Sequence, residues 1–320
     1  MINKLGLLIT DNVDPRHNLA LEKYLFDNLE KDSCLLYLWQ NEKTVVIGRN
    51  QNAANECNIS LIKEDGARLV RRLTGGGAVY HDLGNLNFSL ICPQEDFDEA
   101  NGNNIILKAL ISRGIKAGKS GRNDLLLNGR KFSGQAFYHH DGKSLHHGTI
   151  MVDVDKDKVS RYLNVSLLKL NDHHVKSVKS RVVNLREEAD ISIDELKDAL
   201  PAAFEAYYRK PLTVFREADL DQNEIKANTA FFADEHFIIP EHRQLPLKKE
   251  KRFPWGTVQL EYQLDNEVIT GINIYSDALE TEYLSRLPKM LINQKIHTLC
   301  LPETDPEINS DICELLNEEV

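Results

Sequence analysis

The chain has 320 residues, more than a single hydrophobic core usually organises, so one large domain and one smaller one are expected. Hydrophobic residues at 42% and charged residues at 28% are ordinary for a water-soluble globular protein, and no apolar run approaches the roughly 18 residues that a membrane span needs. A formal charge of −10 disfavours a general nucleic-acid binder, the N-terminal stretch lacks the layout of a secretory signal, and a cytoplasmic protein is expected.

In chain order, Asp14-Pro15 predicts a helix start, with Asp as N-cap and Pro in the first turn, and Leu21, Tyr24, Leu25 and Leu29 carry helical spacing to about residue 30. Residues 34–39 and 44–48 read as two strands whose connection, Asn41-Glu42-Lys43, is short enough for a hairpin. A helix near 54–64 leads into a strand that holds Arg71 and Arg72; residues 85–92 form the next strand, and 105–114 a helix ending on Gly114. The following stretch, to about 154, reads as a meander of short antiparallel strands with tight turns at Asn128-Gly129 and Asp141-Gly142. Residues 194–209 are helical, with a kink or restart expected at Pro201. Regularity then fades, 244–251 looks like a linker, and a hairpin turning at Asp265-Asn266 precedes further helices. The boundary is placed near 248, dividing residues 1–247 from residues 248–320. The five cysteines are odd in number, widely spaced and without a CxxC pair, so buried thiols are expected rather than a disulfide scaffold or zinc site.

Four groups of residues carry possible chemistry. Gly75, Gly76 and Gly77 follow Arg71 and Arg72 and precede His81-Asp82. Glycine permits positive φ and close backbone approach, so guanidinium donors and free N–H groups are expected to converge on an anion there. The loop matches neither a Walker A motif nor a G-x-G-x-x-G turn. Lys131 comes immediately after a tight turn, beside Ser133-Gly134, and as a compact charge suits a phosphate or an activated acyl carbonyl; an exposed strand lysine is the alternative. In the pairs His139-His140 and His146-His147, successive strand residues point to opposite faces, so at most one of each pair can share a site, and a polar contact is favoured over zinc. Asp124 could help hold Mg²⁺, and Lys179 and Arg181 could contact phosphate. No Ser-His-Asp order and no cysteine in these motifs offers a nucleophile, so no covalent enzyme intermediate is expected.

Taken together, RRLTGGGAVYHDLGNLNFS, GRNDLLLNGRKFSGQAF, HHGTIM, KSVKSRVVNL and RFPWGTVQL, with NLALE and TVVIGRNQN earlier, resemble the lipoate-protein ligase A family over almost the whole chain. The resemblance implies an α+β fold: a biotin/lipoate ligase-type catalytic domain with mixed, largely antiparallel sheets, plus a small C-terminal α+β accessory domain that rearranges during the cycle. It implies a reaction with ATP and Mg²⁺ in which lipoate, or octanoate, attacks the α-phosphate to give an acyl adenylate, which a carrier-domain lysine then takes as an amide. Carried over by motif, Lys131 is the catalytic residue, touching the lipoyl carbonyl and the phosphate. Arg72, Gly75, Gly76, Gly77, Ala78, Val79, Tyr80, Asp124, Lys131 and Arg181 would hold the nucleotide, with Asp124 near the metal. Arg72, His81, Lys131, Ser133, Gly134, His147, Gly148 and Thr149 would line the acyl site. The implied partners are lipoyl domains of 2-oxo acid dehydrogenase E2 subunits and the glycine-cleavage H protein, with no nucleic acid or membrane and a monomeric enzyme. Two rival readings are a carrier-to-carrier lipoyl or octanoyl transferase working through a cysteine, and a non-catalytic lipoate binder. A biotin ligase would carry a GRGRxxR-type loop where RRLTGGGAVYHD stands.

Overall fold

The computed structural model describes residues 1–120, 124–164, 182–241 and 243–318. Its largest element is an eight-stranded sheet in the order β11 (Leu212–Val214), β1 (Lys4–Ile9), β2 (Ser33–Trp39), β6 (Asn85–Pro93), β10 (Lys143–Met151), β9 (Arg130–His140), β8 (Asp124–Leu127) and β7 (Gly118–Ser120). The β11–β1 and β1–β2 pairs are parallel and all others antiparallel, as expected for a mixed, largely antiparallel sheet. A second sheet, β4 (Arg68–Arg71), β3 (Thr44–Ile47) and β5 (Val79–His81), and a third, β12 (Leu247–Phe253), β13 (Gly256–Asp265) and β14 (Val268–Ser276), have three strands each.

Alternation along the central strands buries both faces of the large sheet. Leu36, Leu38, Phe88 and Leu90 pack with Ile106, Leu110, Leu196 and Phe204 from the helices Glu99–Ser112 and Ile193–Tyr208. Tyr37, Trp39, Ile91 and Leu145 face the other way, onto Leu19, Leu21 and Leu25 of the helix Pro15–Asp27, with Val46 and Val70 of the second sheet in the same cluster. The first helix begins as its sequence predicts, Asp14 accepting from Arg16 N ahead of Pro15. Both expected β-turns form, with positive φ at Asn128, Gly129, Asp141 and Gly142.

Several expectations are corrected. Strands β2 and β3 do not form a hairpin, because the chain leaves one sheet for the other between them; Asn41 is fully buried there and bonds to Asn18 and His81. The helix near 54–64 is two short ones, Ala53–Glu56 and Ile59–Glu64, the second capped by Asn58. The helix expected from 105 starts at Glu99 on an Asp98 cap. The helix through Pro201 runs without a restart, since Pro201 lies off the stripe of Leu196, Leu200 and Phe204 and its missing N–H falls on the wetter side. Where regularity was expected to fade, Gln222–Ala233 is a helix capped by Asp221. The supposed linker is corrected too: its second half belongs to β12, where the exposed Lys248, Glu250 and Arg252 alternate with the less exposed Lys249 and Lys251. The C-terminal hairpin turns at Asn266-Glu267, one residue later than expected, with both residues at positive φ. Cys34, Cys57 and Cys92 are buried, but Cys300 is exposed and Cys313 only partly covered. Among the described residues no helix is long and apolar enough to cross a membrane.

Candidate functional site

One row of residues crosses the large sheet. Trp39 pairs with Asn87, Asn87 with Thr149, and Gly134 with Asp124, while Gly134 N donates to Thr149 Oγ1 at 3.2 Å and joins the two halves. Above this row lies the loop between β4 and β5 that carries the three glycines. The space between them is a cavity of about 140 Å³. Leu19, Trp39, Val46 and His81 stand among its lining residues, as do Lys131, Gly134, His147, Gly148 and Thr149. It is apolar around Trp39, Leu19 and Val46, and charged at Lys131 and at Arg72.

The Lys131 side chain is 37% exposed, and its Nζ lies 2.7 Å from Asp124 Oδ1. A Cβ on Gly134 would sit 2.8 Å from that Nζ, so the glycine leaves the room the lysine occupies. The Lys131 backbone carbonyl accepts from Val183 N at 2.9 Å.

The glycine loop is held from inside. Gly76 has φ +87°, a conformation that a side chain disfavours, and its N–H donates to Ala278 O in the C-terminal unit at 3.1 Å. Arg72 is buried, and its Nη2 donates to Gly75 O at 2.6 Å and Gly77 O at 2.8 Å, curling the loop around the guanidinium. Burial lowers the Arg72 pKa to about 10, with Glu22 opposing the shift, so the group stays charged at neutral pH. Arg71 corrects the expectation that both guanidiniums converge on the anion site. Neighbouring residues leave a strand on opposite sides, and Arg71 donates instead to the carbonyls of Gly48, Arg49, Gln51, Phe237 and Ile238. It clamps two segments together.

A buried polar chain supports the cavity. Trp39 Nε1 donates to Ser89 Oγ at 2.9 Å, Ser89 to Glu22 Oε1 at 2.5 Å, and His147 Nδ1 lies 2.8 Å from the same oxygen. His147 Nε2 is 2.8 Å from Thr74 Oγ1, which accepts from Arg72 Nε at 2.9 Å. The Glu22 carboxylate accepts only, so His147 donates to it through Nδ1; in the neutral ring Nε2 then accepts the Thr74 hydroxyl hydrogen. Glu22 is the residue the sequence reading lacked here. A glutamate among the apolar positions of an otherwise buried helix face was the available signal.

Of the residues singled out in advance, Arg72, Gly76, Gly77, Ala78, Val79, His81, Lys131, Gly134, His147, Gly148 and Thr149 share this cavity, with Asp124 on Lys131. Gly75 packs instead on the C-terminal unit, where a Cβ would meet Ala278 O at 2.1 Å. Tyr80 packs with Val45 and Tyr162, Ser133 is buried outside the lining, and Arg181 and Lys179 lie outside the described residues. Of the histidine pairs, His147 enters the cavity while His146 bonds Gln135, and His139 and His140 bond Ser144 and Glu282.

His81 and His146 are held neutral. Burial, then the positive Arg72, pulls His81 down to about 3, and burial, then His147, does the same to His146. Both folded-state values lie below the unfolded 6.5, so the unfolded chain takes up protons that the fold refuses. Their contribution is complete above pH 6.5 and falls as pH drops toward 3. By pH 5 the loss is about 2 kcal/mol for each. Urea midpoints are expected to fall between pH 7 and pH 5, less so in His146→Gln; an unchanged midpoint contradicts the neutral assignment.

Residues 14–205 match the family described as lipoyl protein ligase A/B catalytic domain, and residues 244–303 match bacterial lipoate protein ligase C-terminus. A lipoate-protein ligase A from Psychrobacter cryohalolentis is 40% identical over 301 residues, covering 91% of this chain and 89% of that protein. Among solved structures, P. falciparum LipL1 in complex with lipoate superposes with TM-score 0.82 at 29% identity, over 97% of this chain and 99% of that one. A Thermoplasma acidophilum bipartite lipoate protein ligase, studied with its E2 lipoyl domain, gives 0.65 at 28% identity, over 77% and 100%. A lipoate-protein ligase A bound with ATP gives 0.64 at 27%, over 75% and 99%.

Proposed function

The chain belongs to the lipoyl protein ligase A/B family, and from that membership we propose that it activates lipoate with ATP and joins it to a lysine of a lipoyl carrier domain. The observation that carries this reading is the polarity of the cavity, with Lys131 at one end and a pocket of Trp39, Leu19 and Val46 at the other. An acyl chain fits along it with its carboxylate at Lys131. In the first step a carboxylate oxygen forms a bond to the α-phosphorus and the bond to pyrophosphate breaks. In the second, the carrier amine forms an amide and AMP departs with the former anhydride oxygen.

Neither step needs an enzyme nucleophile. Lys131 would stabilise charge on the carbonyl and phosphate oxygens, and the Gly76–Val79 backbone would lie along the acyl adenylate. Arg72 acts by fixing the loop and by its positive charge. Mg²⁺ would enter with the nucleotide and neutralise phosphate charge. Asp124 offers one carboxylate, which suits an ion that takes most of its ligands from phosphates and water. We place the accessory unit from about residue 248 on, with β12 kept whole within it.

The cysteine-dependent transfer reading is disfavoured because Cys34 and Cys92 lie in the cluster on the far face of the large sheet and Cys57 under the second sheet. Lipoate, ATP and Mg²⁺ are expected to release pyrophosphate without any carrier present. No pyrophosphate, together with ATP-independent transfer between carriers, would overturn the proposal.

A further inference from the structure

His81 presents a buried hydrogen-bond donor that no other described residue accepts. Its tautomer follows from its neighbours. Asn18 Nδ2 donates to the carbonyls of Asn12 at 2.9 Å and Gln40 at 2.8 Å, so the atom of Asn41 that faces it at 3.0 Å is oxygen. Asn41 Nδ2 then donates to His81 Nδ1 at 3.2 Å, which leaves the ring proton on Nε2. That Nε2 is buried with no partner among the described residues, and His81 lines the cavity. A buried donor left unmade is costly, so the site gains from any ligand atom that accepts from it.

The place of His81 tells which part of the ligand that is. Its ring meets Trp39 edge-on at 6.3 Å, and Trp39 stands at one end of the row Trp39, Asn87, Thr149, Gly134. Lys131 overlies Gly134, three strands away, which is about 14 Å at the usual strand spacing. The donor therefore faces the acyl tail and not the carboxylate.

We propose that His81 Nε2–H is a specificity-determining group: it recognises a tail that bears sulfur lone pairs, as the dithiolane of lipoate does, over an all-carbon tail of the same size. The inference rests on the acyl-activating reading above and deepens it. Sulfur is a weak acceptor, so the preference is moderate, and it acts through binding and not through the reacting carbonyl.

The test uses the full-length protein with ATP and Mg²⁺, offered lipoate and its all-carbon ring analogue, a cyclopentane in place of the dithiolane, in one vessel. Acyl-adenylate formation is expected to favour lipoate about tenfold. In His81→Phe the ratio should fall toward one, through the KM for lipoate, with the KM for ATP unmoved. A ratio near one in the parent, or an unchanged ratio in the variant, overturns the inference while leaving the ligase reading standing. Activation of neither acid overturns that reading and this inference with it. Should His81→Phe not fold, histidine ¹⁵N spectra of the parent decide: the His81 Nε2 signal should move with lipoate and not with the analogue, and equal shifts overturn the inference.

Discussion

Lys131→Ala is expected to lower acyl-adenylate formation by about a thousandfold, in keeping with the loss of one preorganised charge-stabilising donor. The fold should survive. The Lys131 side chain is 37% exposed, and its ion pair with Asp124 is of the half-exposed kind that contributes little to stability. The thermal midpoint should stay within about two degrees of the parent. Single-turnover pyrophosphate release measures the effect, and near-normal release in a folded variant would remove Lys131 from the mechanism.

Gly76→Val should cost nearly as much by another route. At φ +87° a β-branched residue is strained, and its Cβ would lie 3.0 Å from Arg72 Nη2, which holds the loop through Gly75 O and Gly77 O. The loop must open, and with it the wall along the adenylate. Calorimetry is expected to give at least about a hundredfold weaker ATP and lipoate binding, as both backbone and Arg72 contacts are lost. Gly77→Ala is the comparison, because a Cβ there meets nothing within 4 Å and the thermal midpoint should hold. Equal binding by Gly76→Val and the parent would show that the loop does not shape the site.

Much of this was legible from residues that impose their own geometry. The Asn128-Gly129 and Asp141-Gly142 turns fixed the hairpins that bring Gly134, against which Lys131 packs, beside Thr149, and Asp14-Pro15 fixed the start of the helix that carries Glu22. The cavity's tail end was not legible in the same way. Leu19, Trp39, Val46 and Asn87 meet only because the first helix, the large sheet and the second sheet pack together, and Leu19, Trp39 and Val46 each alone read as ordinary core residues. Arg71 was misread although strand alternation was available to separate it from Arg72. The helix Gln222–Ala233 escaped because it buries only Ile225 and Phe232, too few for a helical stripe. In β12, a run of charges concealed a period of two.

On the function proposed for it, this chain uses ATP to acylate a carrier lysine with lipoate. The most direct measurement is the intact mass of a lipoyl domain incubated with the enzyme, lipoate, ATP and Mg²⁺. The expected result is a gain of one lipoyl group, lost when the target lysine is replaced and accompanied by AMP and pyrophosphate in equal amounts. An unmodified domain under these conditions, acylated only when an acylated carrier replaces lipoate and ATP, would contradict it.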